Sequence, residues 1–360
     1  MKNRNGTKLY IHTLLIITGA GASHDVADHR EINVRSEFQP PLTNYLFTGG
    51  GGQLIGSVNR FLIANPIAAQ VGKDWRISRH SLEEYLLDLK NSKSLMLRKR
   101  YWSVPIYLHD LFLSISNSYI NSASPGVPSN YSSLITAIAK NGNYGQIIWL
   151  NLNYDLLADS AIKASTNNEL KTFDDYMNLE TPDKIKIKYT KPHGSADWFK
   201  RDKAEIPWYD IRHGNVPDDF EMLLSEEIYT ENMAHVGGLT NKETHRYPAI
   251  LAPLGKYEYL CKDHIGIITN ELKLIKSLSL LCIGFSALDQ DILDLIKDNV
   301  KHIGKFKVVN KNYEEAKKAY LNIVRHYGNI NVAMEQAIFN AGFTEFIKEG
   351  LDEWLSQGKF

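Results

Sequence analysis

The chain has 360 residues, 43% of them hydrophobic, enough to bury a sizeable core as one large domain or two small ones. Forty-one basic residues balance 41 acidic ones, so no global field draws it to nucleic acid or to a membrane surface. The two cysteines, Cys261 and Cys282, exclude a four-cysteine zinc site, and so few thiols suit a reducing, cytoplasmic setting. Lys2, Arg4 and Lys8 ahead of an apolar run, with Ala20-Gly21-Ala22 behind it, mimic a secretory leader. His12 and Thr13 interrupt that run and its centre is β-branched, so it is read as a first strand. No other segment approaches the roughly 18 uninterrupted apolar residues of a membrane span.

That strand, Leu14 to Thr18, suits burial on both faces, as in a parallel sheet, and ends in Gly19-Ala20-Gly21-Ala22-Ser23. Gly19 and Gly21 let the backbone turn tightly and approach a ligand, and the helix opened at Ala22 and Ser23 favours a phosphate. The third glycine of the usual dinucleotide fingerprint is absent, because His24 stands in its place. From His24 to Pro41 the sequence is polar and patternless and reads as a loop over this turn. Helical periodicity follows after Gly49–Gly52: a capping box of Ser81 and Glu84 opens one helix, and another runs from Val104 to Ile120 before Ser124-Pro125-Gly126. The block over 40–140 is therefore a helical insertion between the first two strands.

Gln146 to Asn151 is the second strand, ending at Asn153-Tyr154-Asp155, with a helix to Lys163 behind it. Lys184 to Tyr189 alternates lysine and isoleucine as an edge strand does and leads into the loop Lys191-Pro192-His193-Gly194-Ser195-Ala196-Asp197-Trp198. Residues 200–246 show no order, and the aromatics of 198–209, Trp198, Phe199, Trp208 and Tyr209, suit core or interface packing better than a binding surface. Tyr247 to Pro253 is a further strand and Ile265 to Lys276 a helix. Leu278 to Ile283 is a buried strand closed by Gly284-Phe285-Ser286, with Asp289 and Asp291 opening the next helix. Phe306 to Asn310 is the last strand, and helices over Tyr313–His326 and 343–356 fill the C-terminal 311–360. Strands alternating with helices predict an α/β fold, a doubly wound Rossmann-like parallel sheet with the helical module inserted. The informative clusters at 19–23, 153–155, 284–286 and 310 all fall at carboxyl ends of strands, where such sheets bind ligands.

In their order these motifs resemble the sirtuin superfamily, over residues 12–325, and most closely its zinc-free bacterial branch with Asn-Tyr-Asp and Lys-x-His-Gly-Ser-x-x-Trp. The departures are the missing zinc cysteines and, after the glycine turn, His24-Asp25-Val26-Ala27 in place of Pro-Asp-Phe-Arg. The resemblance implies NAD as substrate, no zinc, and hydrolysis of the nicotinamide–ribose bond by a regulated antiviral effector. It assigns catalysis to Asn153, which orients a water or ribose hydroxyl, to Asp155, which accepts from the carboxamide, and to His193, which moves a proton. It assigns NAD binding to Gly19, Ala20, Gly21 and Ser23, with Gly284, Ser286 and Asn310. The partners it implies are copies of the chain or a separately encoded sensor or ATPase. ADP-ribosyl transfer, lysine deacylation and non-catalytic NAD or ADP-ribose binding are the alternatives. Taken alone, each motif also has a plain reading: Asp155 and Ser286 as helix caps, His193 as an ordinary loop histidine.

Overall fold

A computed structural model describes residues 12–28, 39–48, 55–122, 129–230, 246–252, 259–328 and 330–357. The glycine run at 49–52, the Ser124-Pro125-Gly126 stop and most of the polar stretch, 29–38, lie outside these residues. The strands are β1 (His12–Thr18), β2 (Tyr144–Asn151), β3 (Leu179–Glu180), β4 (Lys186–Thr190), β5 (Gly194–Asp202), β6 (Leu224–Thr230), β7 (Arg246–Ile250), β8 (Leu278–Ile283), β9 (Ile303–Val309) and β10 (Ile338–Phe339). Seven of them form one sheet in the order β10-β9-β8-β1-β2-β4-β3, parallel throughout except for β3. This is the predicted Rossmann-like α/β fold. The chain builds outward from β1 through β2 and β4, then returns to the other side of β1 with β8, β9 and β10. The reversal puts the switch point between β1 and β8.

Leu14, Leu15, Ile16 and Ile17 are fully buried because β1 is central and both its faces are covered. The helix Asn130–Asn141 belongs to this core, through Tyr131, Leu134, Ile135 and Ile138, and not to the helical insertion expected over 40–140. The rest of that insertion builds a second core against β5, β6 and β7, an antiparallel sheet of order β6-β5-β7. There Phe47, Val71, Leu86, Tyr107 and Leu111 meet Phe199, Trp208, Phe220 and Tyr247. The segment 200–246 is thus not without order: its described part holds β6 and the short helices Trp208–Arg212 and Phe220–Leu223. Trp198, Phe199 and Trp208 are buried as expected, while Tyr209 is exposed.

Other expectations change in the same way. The loop expected from His24 begins instead as the helix Ala20–Asp28. That helix is held by contacts distant in sequence: Asp25 accepts the N–H of Thr344 at 2.7 Å, and His24 Nδ1 donates to the Pro40 carbonyl at 2.9 Å. The loop expected over 193–198 is β5 from Gly194 onward, and the strand at 247 pairs with it and not with the main sheet. The helix expected over 343–356 is broken by a π turn at Phe346–Gly350. The Ser81–Glu84 capping box is present in both directions, and no helix among the described residues is long and apolar enough to cross a membrane.

Candidate functional site

All four strand-end clusters stand at one edge of the sheet, since Thr18 pairs with Asn151 and Ile283, and Ile283 with Val309. At the switch point the two glycine turns are packed backbone to backbone. A Cβ on Gly19 would lie 2.5 Å from the Gly284 carbonyl oxygen, and one on Gly21 2.9 Å from Gly284 Cα. Gly284 has φ +59°, and a Cβ there would fall 2.0 Å from the Ala22 nitrogen. The glycines are needed for close approach, as their sequence suggests, but what approaches is the facing turn. The N–H groups of Gly19 and Gly21 donate to the carbonyls of Ile283 and Gly284, at 3.0 and 3.2 Å. They are therefore engaged, while the exposed Ser286 hydroxyl stands two residues along the same facing turn.

Ser23 is not at the surface. Its buried hydroxyl donates to Asp155 Oδ1 at 3.1 Å, lies 2.8 Å from the Tyr131 hydroxyl and accepts from Asn153 Nδ2 at 3.0 Å. Asn153 Nδ2 also donates to the Gly19 carbonyl at 3.0 Å, which ties the Asn-Tyr-Asp loop to the glycine turn. Asp155 Oδ1 also accepts the Leu157 N–H at 3.1 Å, but the N-cap of the helix Leu157–Thr166 is Leu156, so Asp155 is one residue short of the cap position that its plain reading gave it. Burial drives the Asp155 carboxyl above the usual carboxylate range, while Lys191, the Leu157 N–H and Ser23 pull it back. Asn310 is buried at the end of β9, where its backbone bonds Phe339 and Gly342 rather than the cluster.

The Lys-Pro-His-Gly-Ser stretch is positioned by a lysine that sequence reasoning treated only as part of a motif. Lys191 is fully buried, and its Nζ donates to the Asp155 carbonyl (2.6 Å), Ser195 Oγ (2.8 Å) and Asp159 Oδ2 (3.1 Å). The same carboxylate accepts the Tyr189 hydroxyl at 2.9 Å, and Ser195 Oγ donates to Asp197 Oδ1 at 2.6 Å. Next to it, His193 is pinned by its backbone: its carbonyl accepts the Leu251 N–H at 2.9 Å. Gly194 follows at φ +91°, where a Cβ would fall 2.0 Å from the Ala249 carbonyl oxygen. The Tyr154 carbonyl accepts the Ala196 N–H at 2.9 Å, joining the two motifs.

The His193 side chain is buried, and its Nε2 stands 3.7 Å from Asp289 Oδ1. Desolvation pushes the imidazole down to about 3, so it is neutral at physiological pH. Desolvation, with Asp291 and Glu83 nearby, lifts Asp289 to about 7. Asp289 is the site residue the sequence did not assign. The sequence placed it only at the opening of the next helix, with Ser286 as the candidate cap; in the structure Asp289, not Ser286, takes the N-cap position of Gln290–Asn299, and its side chain does not cap.

Cys261 and Cys282 are buried free thiols far apart in sequence, and burial pushes Cys261 up to about 12. Among the described residues no cluster of three or more His, Cys, Asp or Glu is arranged to hold a metal. A surface depression lined by Leu288, Gln290, Leu293, Asn322, Arg325 and His326 lies along the helices Gln290–Asn299 and Tyr313–Tyr327 and includes none of the clustered groups. No protein-family model matches the chain, and no curated protein matches it.

Proposed function

We propose that the crevice at the β1–β8 switch point binds NAD and hydrolyses its nicotinamide–ribose bond, releasing nicotinamide and ADP-ribose. One observation carries the reading: the strand-end loops at one edge of a doubly wound sheet carry a neutral, buried imidazole (His193), a buried amide and carboxyl on a second loop (Asn153 and Asp155), and a carboxyl on a third (Asp289) that stands beside the imidazole. The resemblance to zinc-free sirtuin-like proteins supplies the substrate. Nicotinamide leaves readily because its ring nitrogen is cationic, so the protein needs chiefly to orient the bond and deliver a water. His193, uncharged at neutral pH, is able to take a proton from that water. Asn153 is oriented by Gly19 and Ser23, and Asp155, buried beside it, is the group this reading assigns to the carboxamide. With the Gly19 and Gly21 amides engaged, the Ala20 amide and the Ser286 hydroxyl are the phosphate donors this reading assigns.

The test is chromatography of NAD incubated with purified protein, alone and with the products of neighbouring genes. Free ADP-ribose and nicotinamide are expected. His193→Ala and Asn153→Ala should each lower turnover to below about 1% of wild type, with unchanged circular dichroism. Near-full turnover in either variant would remove that residue from the mechanism. One observation favours a second reading, a non-catalytic nucleotide-binding module: Ser23, Asn153 and Asp155 already bond one another. NAD-dependent thermal stabilisation without any product would establish it, and ADP-ribose recovered on protein would point to transfer instead.

A further inference from the structure

Asp289 sits in a loop whose backbone is unusual. Ala287, buried and not glycine, has φ +56°, a conformation that persists only where the surroundings impose it. Two residues later the Asp289 backbone is extended, and its side chain leaves the helix N-terminus uncapped. Instead Oδ1 is 3.7 Å from His193 Nε2, reaching across from the β8 side of the crevice to the loop after β4. Among the described residues, the titratable groups that face it are His193, Tyr154, Tyr259, Asp291 of the helix Gln290–Asn299 that follows it, and Glu83 of the helix Leu82–Lys90 in the helical insertion. These neighbours are acidic or neutral.

We propose that Asp289 is the positioning residue of His193: its carboxyl orients the imidazole and dictates which ring nitrogen carries the proton. The consequence for catalysis rests on the NAD-hydrolase reading; the pairing itself does not. When the carboxyl is protonated, its O–H donates to a bare Nε2 and the ring proton resides on Nδ1. When the carboxyl is ionised, it accepts from Nε2–H. Loss of one proton from Asp289 therefore switches the tautomer of a ring that stays neutral in both states. Asp289 is lifted to about 7 and His193 lowered to about 3, which puts the switch at physiological pH without charging the imidazole.

The experiment follows the ring nitrogens of His193 by nitrogen-15 NMR between about pH 5.5 and 8.5, in wild type, Asp289→Asn and Glu83→Gln. The wild-type tautomer is expected to change with a midpoint near 7, and the change should vanish in Asp289→Asn. Glu83→Gln, which removes a negative neighbour, should move the midpoint to lower pH. In parallel, the kcat profile of wild type should carry the same inflection. Asp289→Asn should lose it, with kcat down about tenfold or more and KM within about twofold, and Asp289→Glu should recover part of kcat. A tautomer that does not respond to pH in wild type, or a switch that survives in Asp289→Asn, overturns the proposal. If wild type cleaves no NAD, the hydrolase reading fails, and the NMR titration still decides the pairing.

Discussion

At the scale of single residues, Lys191 is the group on which the site geometry depends most. Its ammonium satisfies the Asp155 carbonyl, Ser195 and Asp159 at once, in a place where water cannot replace it. Replacing one partner of such a network leaves the others charged or unpaired, which costs about 3–5 kcal/mol, whereas replacing both members with apolar groups is often near neutral. Lys191→Met should therefore lose stability on that scale in urea unfolding, and Lys191→Met combined with Asp159→Leu should lose less than Lys191→Met alone. A cost under about 1 kcal/mol for Lys191→Met would mean the network does not fix the loop. Asp159 Oδ1 has no hydrogen-bond partner, so the pair is held on one oxygen, and the single variant leaves that buried carboxylate only the Tyr189 hydroxyl.

At the scale of elements, the packed turns after β1 and β8 let strain and contact be separated. Gly284 and Gly328 both have positive φ, +59° and +83°, but a Cβ on Gly284 would fall 2.0 Å from the Ala22 nitrogen, and one on Gly328 would meet nothing within 4 Å. Gly328→Ala should cost about 1 kcal/mol, the conformational term alone. Gly284→Ala must also separate two backbones and should cost several times more; equal midpoints in urea would show that the turns part easily. This contact also explains what the sequence made legible. An apolar run stopping at glycine or asparagine marks a strand end, so β1, β2, β8 and β9 and the clusters at their ends are readable one by one. What lies across from each end is not readable, because Gly19 and Gly284 are neighbours only through the sheet. The small sheet escaped for a related reason. β6 exposes Glu226 and Glu227 and owes its strand form to pairing with β5, not to its own pattern. Asp289 was visible as a helix-capping residue type, yet its use depends on His193, almost a hundred positions away, reaching the same crevice.

At the scale of the whole molecule, the long helix Leu95–Ser122 joins the second core to the site. Ser116 Oγ accepts the Leu156 N–H at 2.9 Å, the Phe112 ring meets Tyr154, and His109 Nδ1 donates to the Ala196 carbonyl at 2.6 Å. Ala196 and Tyr154 are the residues that bind the two site loops together, so a shift of this helix would disturb both. On the hydrolase reading, we propose that assembly or a partner acting on this helix would release a restrained enzyme; basal hydrolysis by the isolated chain should then be low and rise on activation. The same joint predicts a pH dependence of stability that does not rest on function. Burial between Phe199 and Trp208 pushes His109 down to about 4, so folding favours its neutral form. A group whose pKa is depressed by folding contributes stability above its unfolded value, about 6.5, and loses it as pH falls toward its folded value. From about 6.5 to 4 that loss reaches about 3 kcal/mol. Asp155, Asp197 and Asp289 are raised by folding and act in the opposite sense over the acidic range, so the wild-type curve alone will not isolate the histidine. His109→Gln removes the titrating group and keeps a donor for Ala196. Wild type should be the more stable protein at about pH 7.5, and by about pH 4.5 its advantage should fall by about 2 kcal/mol in paired urea unfolding curves. A gap that stays constant across that range would show that His109 does not hold its neutral form at the joint.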